Sequence, residues 1–274
     1  MSGRRTLAVL TFLFYCLIGQ GLPQAAIEDE ELWQQGQKEL AAGDVAEARG
    51  HLEKLLGQYP EESRLHLVLG LAALKTQDVR AAETYVAKAV ELAPQDSEAL
   101  TLMGWLELEV KDDPEKAIEA YQRVVELKPD IAEAHNNLGV ARQRKGELDQ
   151  AVESFSRALE LKGDYVQALS NRGWALVNQD QWEAAEKDFE KALELNPKDQ
   201  GALYGLARVR KAKRDYSGAQ DALARLGHES PNFVYWLEWA SIGAVRYYWV
   251  LLTLALGLVF YFRYKRKTGV KSNG

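Results

Sequence analysis

Apolar and small residues recur at helical spacing through most of the chain, and the pattern is clearest between residues 132 and 163. This stretch reads AEAHNNLGVARQRKGELDQAVESFSRALELKG. Its first half places Leu138 and Gly139 on one stripe, and its second half has an apolar stripe made of Ala151, Phe155, Ala158 and Leu161. The pattern predicts two amphipathic helices, over residues 134–144 and 148–161, with a break at Gly146.

The same two-helix unit recurs along the chain with a period of 34 or 35 residues. A small residue marks the first helix of each unit, at Gly36, Gly70, Gly104, Gly139, Gly173 and Ala207. The second helix carries an alanine at Ala48, Ala82, Ala117, Ala151, Ala185 and Ala219. Four residues later stands a larger apolar side chain, at Leu52, Val86, Tyr121, Phe155, Phe189 and Leu223. Proline closes five units, at Pro60, Pro94, Pro129, Pro197 and Pro231, and Gly163 takes its place in the fourth.

This combination of period and marker residues resembles the tetratricopeptide repeat (TPR) family over roughly residues 29–231. The resemblance implies an all-α solenoid of about six helix-turn-helix repeats that form a right-handed superhelix. The expected repeats are about 29–62, 63–96, 97–131, 132–165, 166–199 and 200–233. Small residues let two helices approach closely, and the bulky residue fills the remaining gap. The one extra residue between Gly104 and Gly139 is expected to lengthen the loop near residues 111–114.

The resemblance also implies that the first helix of each repeat lines a concave groove that binds extended or helical peptides. The candidate groove residues are Trp33, Gln37, Leu67, Leu71, Trp105, Asn136, Asn137, Val140, Arg144, Asn171, Trp174, Asn178, Tyr204, Arg208 and Lys211. Their aromatic members are of the kind enriched at binding hot spots, and Asn137 and Asn171 have amides that can hold a peptide backbone. The set changes from apolar to basic along the chain, which favours a ligand with an acidic end. The alternative is that the tryptophans pack against neighbouring helices and the asparagines belong to the common family sequence.

Members of the family that bind chaperone tails grip a carboxylate with two lysines, an arginine and two asparagines on three successive repeats. The matching positions here hold Thr101, Trp105, Asn137, Gln167 and Asn171. Lysine and arginine are missing, so we do not expect a chaperone-tail receptor.

Both ends of the chain suggest a membrane. Residues 1–26 combine Arg4 and Arg5 with a short apolar run, which predicts a signal peptide or an N-terminal signal anchor. Residues 232–246 are rich in aromatics and predict a capping or juxtamembrane helix. Residues 247–264 read YYWVLLTLALGLVFYFRY, an apolar run with aromatic residues at both edges, which predicts a transmembrane helix in contact with lipid. The basic tail, residues 265–274, is expected in the cytoplasm, which places the repeats on the exocytoplasmic side, the periplasm in a Gram-negative bacterium.

The charge and the motifs of the chain limit the classes of function that we expect. With 26 basic and 39 acidic residues between Glu28 and Pro231, the repeat region carries about −13, which disfavours nucleic acid as a partner. The four histidines fall singly, and no metal, nucleophile or phosphate-binding motif is found, so no catalytic or metal site and no cofactor are expected. The sequence predicts a non-enzymatic, membrane-tethered scaffold for protein or peptide partners, with a role in envelope complex assembly. The alternatives are a self-associating structural membrane protein, in effect a homo-oligomer, and an envelope chaperone for exported chains.

Overall fold

The computed structural model describes residues 30–268, and every regular element in that range is helical. The expected signal peptide or anchor at residues 1–26 lies outside this range, as does the end of the basic tail. By the density of its internal contacts the chain divides into an N-terminal unit, Met1–Leu161, and a C-terminal unit, Lys162–Gly274. The all-α repeat fold predicted from the sequence is confirmed.

Between residues 30 and 161, the N-terminal unit contains four pairs of consecutive helices. They are α1 (Glu30–Ala42), α2 (Val45–Gln58), α3 (Ser63–Lys75), α4 (Val79–Leu92), α5 (Ser97–Trp105), α6 (Pro114–Leu127), α7 (Ala132–Lys145) and α8 (Leu148–Leu161). A π-helical turn, Leu106–Val110, directly continues α5. Four of the six proposed repeats therefore lie in this unit, each with an odd-numbered first helix and an even-numbered second helix.

The C-terminal unit contains two further pairs and one long helix. Its elements are α9 (Val166–Asn178), α10 (Trp182–Leu195), α11 (Gln200–Ala212), α12 (Tyr216–Glu229) and α13 (Phe233–Thr268). The start of α13 packs on the last pair, since Tyr235 and Ile242 are buried. The Gln220 side chain of α12 also donates a hydrogen bond to the Trp239 carbonyl, at 3.3 Å.

The helices of a pair approach closely because a small residue on one faces a bulky residue on the other. A β-carbon added to Gly139 would lie 2.6 Å from the Phe155 ring, and one added to Gly173 would lie 2.6 Å from the Phe189 ring. These distances are well below van der Waals contact, so glycine is needed at both positions. The packing rule inferred from the marker residues is thus confirmed in both units.

Capping residues explain where the second helices begin and end. Three of the described second helices start after an aspartate whose carboxylate accepts a backbone N–H of the first turn, at Asp78, Asp113 and Asp215. Asp96 and Asp199 cap two of the first helices in the same way. Each proline that closes a repeat stands two residues after its helix ends, as for Gln58 and Pro60. Proline lacks the N–H that a further helical turn requires.

The extra residue between Gly104 and Gly139 is not in a loop, so that expectation is wrong. The turn between α3 and α4 spans residues 76–78, and the turn before α6 spans residues 111–113, with the same length. The additional residue is instead absorbed by the π-helical turn Leu106–Val110, in which the Lys111 amide donates to the Leu106 carbonyl at 3.1 Å. A π-bulge adds one residue to a helix while the helix continues.

The C-terminal helix contains the run for which a membrane span was predicted. Within residues 30–268, none of the helices combines enough length with enough apolar character to cross a membrane. The span predicted for residues 247–264 is therefore not confirmed. Large apolar side chains are nevertheless exposed along this part of α13, with Leu254 61% exposed and Phe260 75% exposed.

Candidate protein-binding surface

Five of the groove candidates are buried. They are Trp33 (0% exposed), Leu67 (1%), Leu71 (2%), Trp105 (7%) and Asn136 (6%). Trp33 packs in the apolar core of the first two repeats, and Leu67, Leu71 and Trp105 share one cluster in the second and third. For these residues the structure supports packing in the core, and the expectation that they face a ligand is corrected.

The remaining candidates of the N-terminal unit are partly or fully exposed. Gln37, Asn137 and Val140 are half-buried, whereas Arg144 is exposed. The Arg144 guanidinium already forms ion pairs with Glu109 and Asp112, both at 3.1 Å. Its charge is thus compensated within the unit, which weakens the case for Arg144 as a ligand contact.

In the C-terminal unit, three aromatic side chains from three helices form a continuous row. Trp174 on α9 contacts Tyr204 on α11, with 5.8 Å between ring centroids, and Tyr204 contacts Tyr235 on α13, at 5.5 Å. The Phe189 ring packs edge-on against Trp174, with 5.7 Å between ring centroids. Trp174 and Tyr204 are half-buried and Tyr235 is buried. We call Trp174, Tyr204 and Tyr235 the aromatic row.

Two basic candidates border the aromatic row. The Arg208 guanidinium lies over the Trp174 ring, 5.7 Å from its centroid, a cation–π arrangement. Lys211 forms an ion pair with Glu238 of α13, at 3.2 Å. The Trp174 indole N–H donates to the Gly201 carbonyl at 3.2 Å, which fixes the ring on which Arg208 rests.

Glu238 also acts on the neighbouring phenol. Burial raises the pKa of Tyr204, and the negative charge of Glu238 and a hydrogen bond to its carboxylate raise that pKa further. Tyr204 therefore stays protonated and serves as a hydrogen-bond donor at neutral pH. The two other candidates of this unit are Asn171, which is half-buried and has polar contacts, and Asn178, which is exposed.

Tyr235 and Glu238 were not among the groove candidates. Both belong to residues 232–246, for which the sequence predicts a capping or juxtamembrane helix, and Leu237 and Ala240 there keep the phase of a first helix. Extending the repeat register past Pro231 would have found Glu238, which stands 34 residues after Tyr204, but not Tyr235. What the sequence did not indicate is that this helix supplies an acidic group next to Lys211.

The histidines make local structural contacts. The His66 and His135 rings each hydrogen-bond through Nε2 to the carbonyl of a repeat-closing proline, Pro60 and Pro129, both at 2.8 Å. His51 contacts the Glu39 carboxylate at 2.8 Å. Among the residues that the structure describes, no group of three His, Cys, Asp or Glu side chains is arranged to hold a metal ion.

A helical-repeat fold whose surface includes partly exposed aromatic side chains is consistent with protein–protein interaction. Tetratricopeptide repeat families match residues 39–106, 176–238 and 130–198, and a TPR repeat family matches residues 113–146. The chain is a member of the TPR family, whose proteins generally act as non-catalytic scaffolds. No curated protein sequence shows a significant match to it.

Solved structures of TPR proteins share this fold. MamA is 28% identical, with a TM-score of 0.55 over 60% of this chain and 95% of that one. PilW, described as a widely conserved type IV pilus biogenesis factor, has a TM-score of 0.69 at 16% identity and covers 78% of this chain and 97% of its own. YrrB, described as a TPR protein with an unusual peptide-binding site, has a TM-score of 0.56 at 18% identity and covers 68% of this chain and 96% of its own. The last two likenesses concern the fold alone.

Proposed function

We propose that this TPR protein is a non-enzymatic scaffold that binds a protein partner through the aromatic row of its C-terminal unit. The observation that carries the proposal is that Trp174 and Tyr204 are partly exposed and adjoin the exposed Arg208. Tryptophan, tyrosine and arginine are the residues most enriched at binding hot spots. Aromatic rings held by their neighbours also lose little conformational entropy when they bind.

The location of this surface follows from a comparison of the two units. In the N-terminal unit the aromatic candidates Trp33 and Trp105 are buried, and Arg144 is neutralised by two carboxylates. In the C-terminal unit the corresponding Trp174 is half-buried, and the structure gives Arg208 no carboxylate partner among the described residues. The surface of the C-terminal unit around Trp174 and Arg208 is therefore the better candidate for binding a partner.

The scaffold is further proposed to be attached to a membrane through α13, with the array on the exocytoplasmic side and a role in assembling an envelope complex. The apolar run at residues 247–264 and its aromatic edges support attachment. So do the exposed Leu256, Leu258 and Phe262, since contiguous exposed apolar side chains mark interaction sites. The finding that no described helix suffices for a span makes an extraction experiment necessary.

Extraction at alkaline pH tests the attachment. An integral protein stays in the membrane pellet after carbonate treatment, whereas a peripheral one is released. The matched variant replaces Leu256 and Leu258 by glutamine and should move the protein to the supernatant. Protease added outside spheroplasts should digest the array if it is exocytoplasmic. Release of the unaltered protein by carbonate would contradict membrane insertion.

Photo-crosslinking in native membranes tests the binding surface. A photoreactive amino acid is placed at Asn178, one turn beyond Trp174 on α9, and at the exposed Glu194 on α10 as the control. One dominant protein adduct from position 178, absent from position 194, would support the scaffold. A broad spread of exported chains would favour the chaperone, and adducts with a second copy alone would favour self-association. Equal adducts from both positions would refute a specific surface.

A further inference from the structure

The charge of the array is divided unequally between its two units. Residues 30–161 hold 15 basic and 26 acidic side chains, whereas residues 162–232 hold 11 of each sign. On the surface beside the aromatic row, Arg208 and Lys211 are both exposed, and Glu238 is the acidic group in contact with Lys211. An otherwise acidic protein thus presents a basic site at one surface of its C-terminal unit.

The two basic side chains have different partners. Arg208 lies over Trp174, at 5.7 Å from the centroid, and the described residues place no carboxylate in contact with it. Lys211 is paired with Glu238, at 3.2 Å, and Glu238 also interacts with the Tyr204 hydroxyl. The Glu238 carboxylate therefore interacts with both Lys211 and Tyr204. Arg208, one helical turn away, can still form an ion pair with a ligand.

We propose that the surface formed by Trp174, Tyr204, Arg208 and Lys211 binds an acidic partner segment, and that Glu238 occupies part of this site in the free protein as an internal competitor. This inference rests on the proposed scaffold function and adds the chemistry of the partner. The segment carries one or more carboxylates for Arg208 and Lys211 and an apolar or aromatic side chain for Trp174. Arginine suits this role because its planar guanidinium can hold a carboxylate through two hydrogen bonds while it stacks on an aromatic ring.

The competitor assignment follows from the exposure of the pair. The Lys211 side chain is 46% exposed and that of Glu238 is 20% exposed. An ion pair at such a surface contributes little to stability, so a ligand carboxylate can replace Glu238 at small cost. Tyr235 would keep the start of α13 in place during the exchange, because it is buried against Tyr204.

The test uses the full-length protein in detergent micelles and two fluorescein-labelled peptides. The Glu peptide alternates Glu and Trp, and the Gln peptide alternates Gln and Trp. Binding is measured by fluorescence anisotropy. We expect the Glu peptide to bind more tightly than the Gln peptide, and Arg208→Gln to weaken only the Glu peptide, by about threefold to tenfold. Glu238→Gln should strengthen binding of the Glu peptide by a similar factor. Arg208→Lys keeps the charge but loses the planar guanidinium, so it should retain only part of the preference for the Glu peptide.

Controls separate a local effect from a change in folding or net charge. Lys191→Gln removes an exposed charge from α10, outside the surface, and should leave both affinities unchanged. Circular dichroism spectra should be the same for all variants. Equal binding of the two peptides by the unaltered protein, or no loss in Arg208→Gln, would overturn the acidic-partner assignment. No gain in Glu238→Gln would overturn the role of Glu238.

Three further outcomes distinguish an acidic partner from anionic lipid and from failure of the proposed function. If Arg208→Gln weakens binding to phosphatidylglycerol vesicles and not to the Glu peptide, the surface binds anionic lipid, and the inference is wrong. If crosslinking from position 178 recovers a partner equally well from the unaltered protein and from Arg208→Gln, the scaffold stands and only its acidic partner is refuted. If neither protein yields a partner, the proposed function itself fails.

Discussion

Replacing Gly139 by alanine tests the packing rule on which the repeats depend. The added β-carbon would lie 2.6 Å from Cε1 and 2.7 Å from Cδ1 of Phe155, whereas carbon atoms in contact are about 3.5–4.0 Å apart. Phe155 is fully buried, so its ring has no free space into which to move. The same change at Gly36 is milder, because the nearest atom, Leu52 Cγ, would be 3.1 Å away on a flexible side chain.

Two opposing effects determine how much Gly139→Ala changes the free energy of unfolding. Overpacking a core costs about 1–3 kcal/mol, and alanine is better than glycine inside a helix by about 1 kcal/mol. Because the clash is with a fully buried ring, the cost of overpacking should lie in the upper part of that range, about 2–3 kcal/mol. We therefore expect Gly139→Ala to lower the free energy of unfolding by about 1–2 kcal/mol. Gly36→Ala should be close to neutral, since its small steric cost is offset by the helix propensity of alanine.

A second substitution should relieve the strain. Phe155→Leu alone leaves a cavity, but in the Gly139→Ala background the shorter side chain makes room for the methyl group. The two changes should couple by about 1–2 kcal/mol, as expected for residues in contact. The sixth repeat already carries this combination, because Ala207 and Leu223 occupy the two positions and are both buried.

Urea denaturation followed by circular dichroism gives the midpoints of the four proteins in this cycle. Hydrogen exchange of the α7 and α8 amides supplies the local measurement, because repeat arrays can unfold in parts. Gly139→Ala with unchanged stability, or a double variant no more stable than Gly139→Ala, would refute the steric explanation.

Two further predictions concern a turn and a buried phenol. Arg214 has a left-handed backbone with φ of 64°, so Arg214→Gly should raise the free energy of unfolding, measured by denaturation, by about 0.5–1 kcal/mol. Gly146 has φ of 90°, so Gly146→Ala should lower it. Changes of the same sign in the two variants would contradict the argument. Burial raises the pKa of Tyr121, so the folded protein keeps this proton when the unfolded chain loses it, and stability should fall as the pH rises through about 10. Tyr121→Phe should lessen that fall between about pH 8 and about pH 11, and an unchanged fall would exclude Tyr121 as its source.

The repeat positions could be predicted because they depend on contacts within one unit of the sequence. Gly139 faces Phe155 and Gly173 faces Phe189, so the spacing of a small and a bulky residue specifies a helix pair. Exposure of the groove candidates could not be predicted in the same way. Trp105 and Trp174 occupy the same register, but Trp105 is covered by the side chains of its cluster, whereas Trp174 borders the exposed Arg208. Exposure depends on which neighbouring side chains fill the space, and register does not determine that.

The placement of the extra residue shows a second limit of the sequence pattern. The spacing of 35 residues between Gly104 and Gly139 indicates an insertion but does not locate it. A turn in this array is constrained at both ends: Asp113 must cap α6 through its carboxylate, and Asp112 adopts φ of 54° where the equivalent Gln77 adopts 60°. A longer loop would disturb both features. A π-helical turn widens the helix locally and leaves the cap and the left-handed residue in place, so the helix, and not the loop, accommodates the insertion.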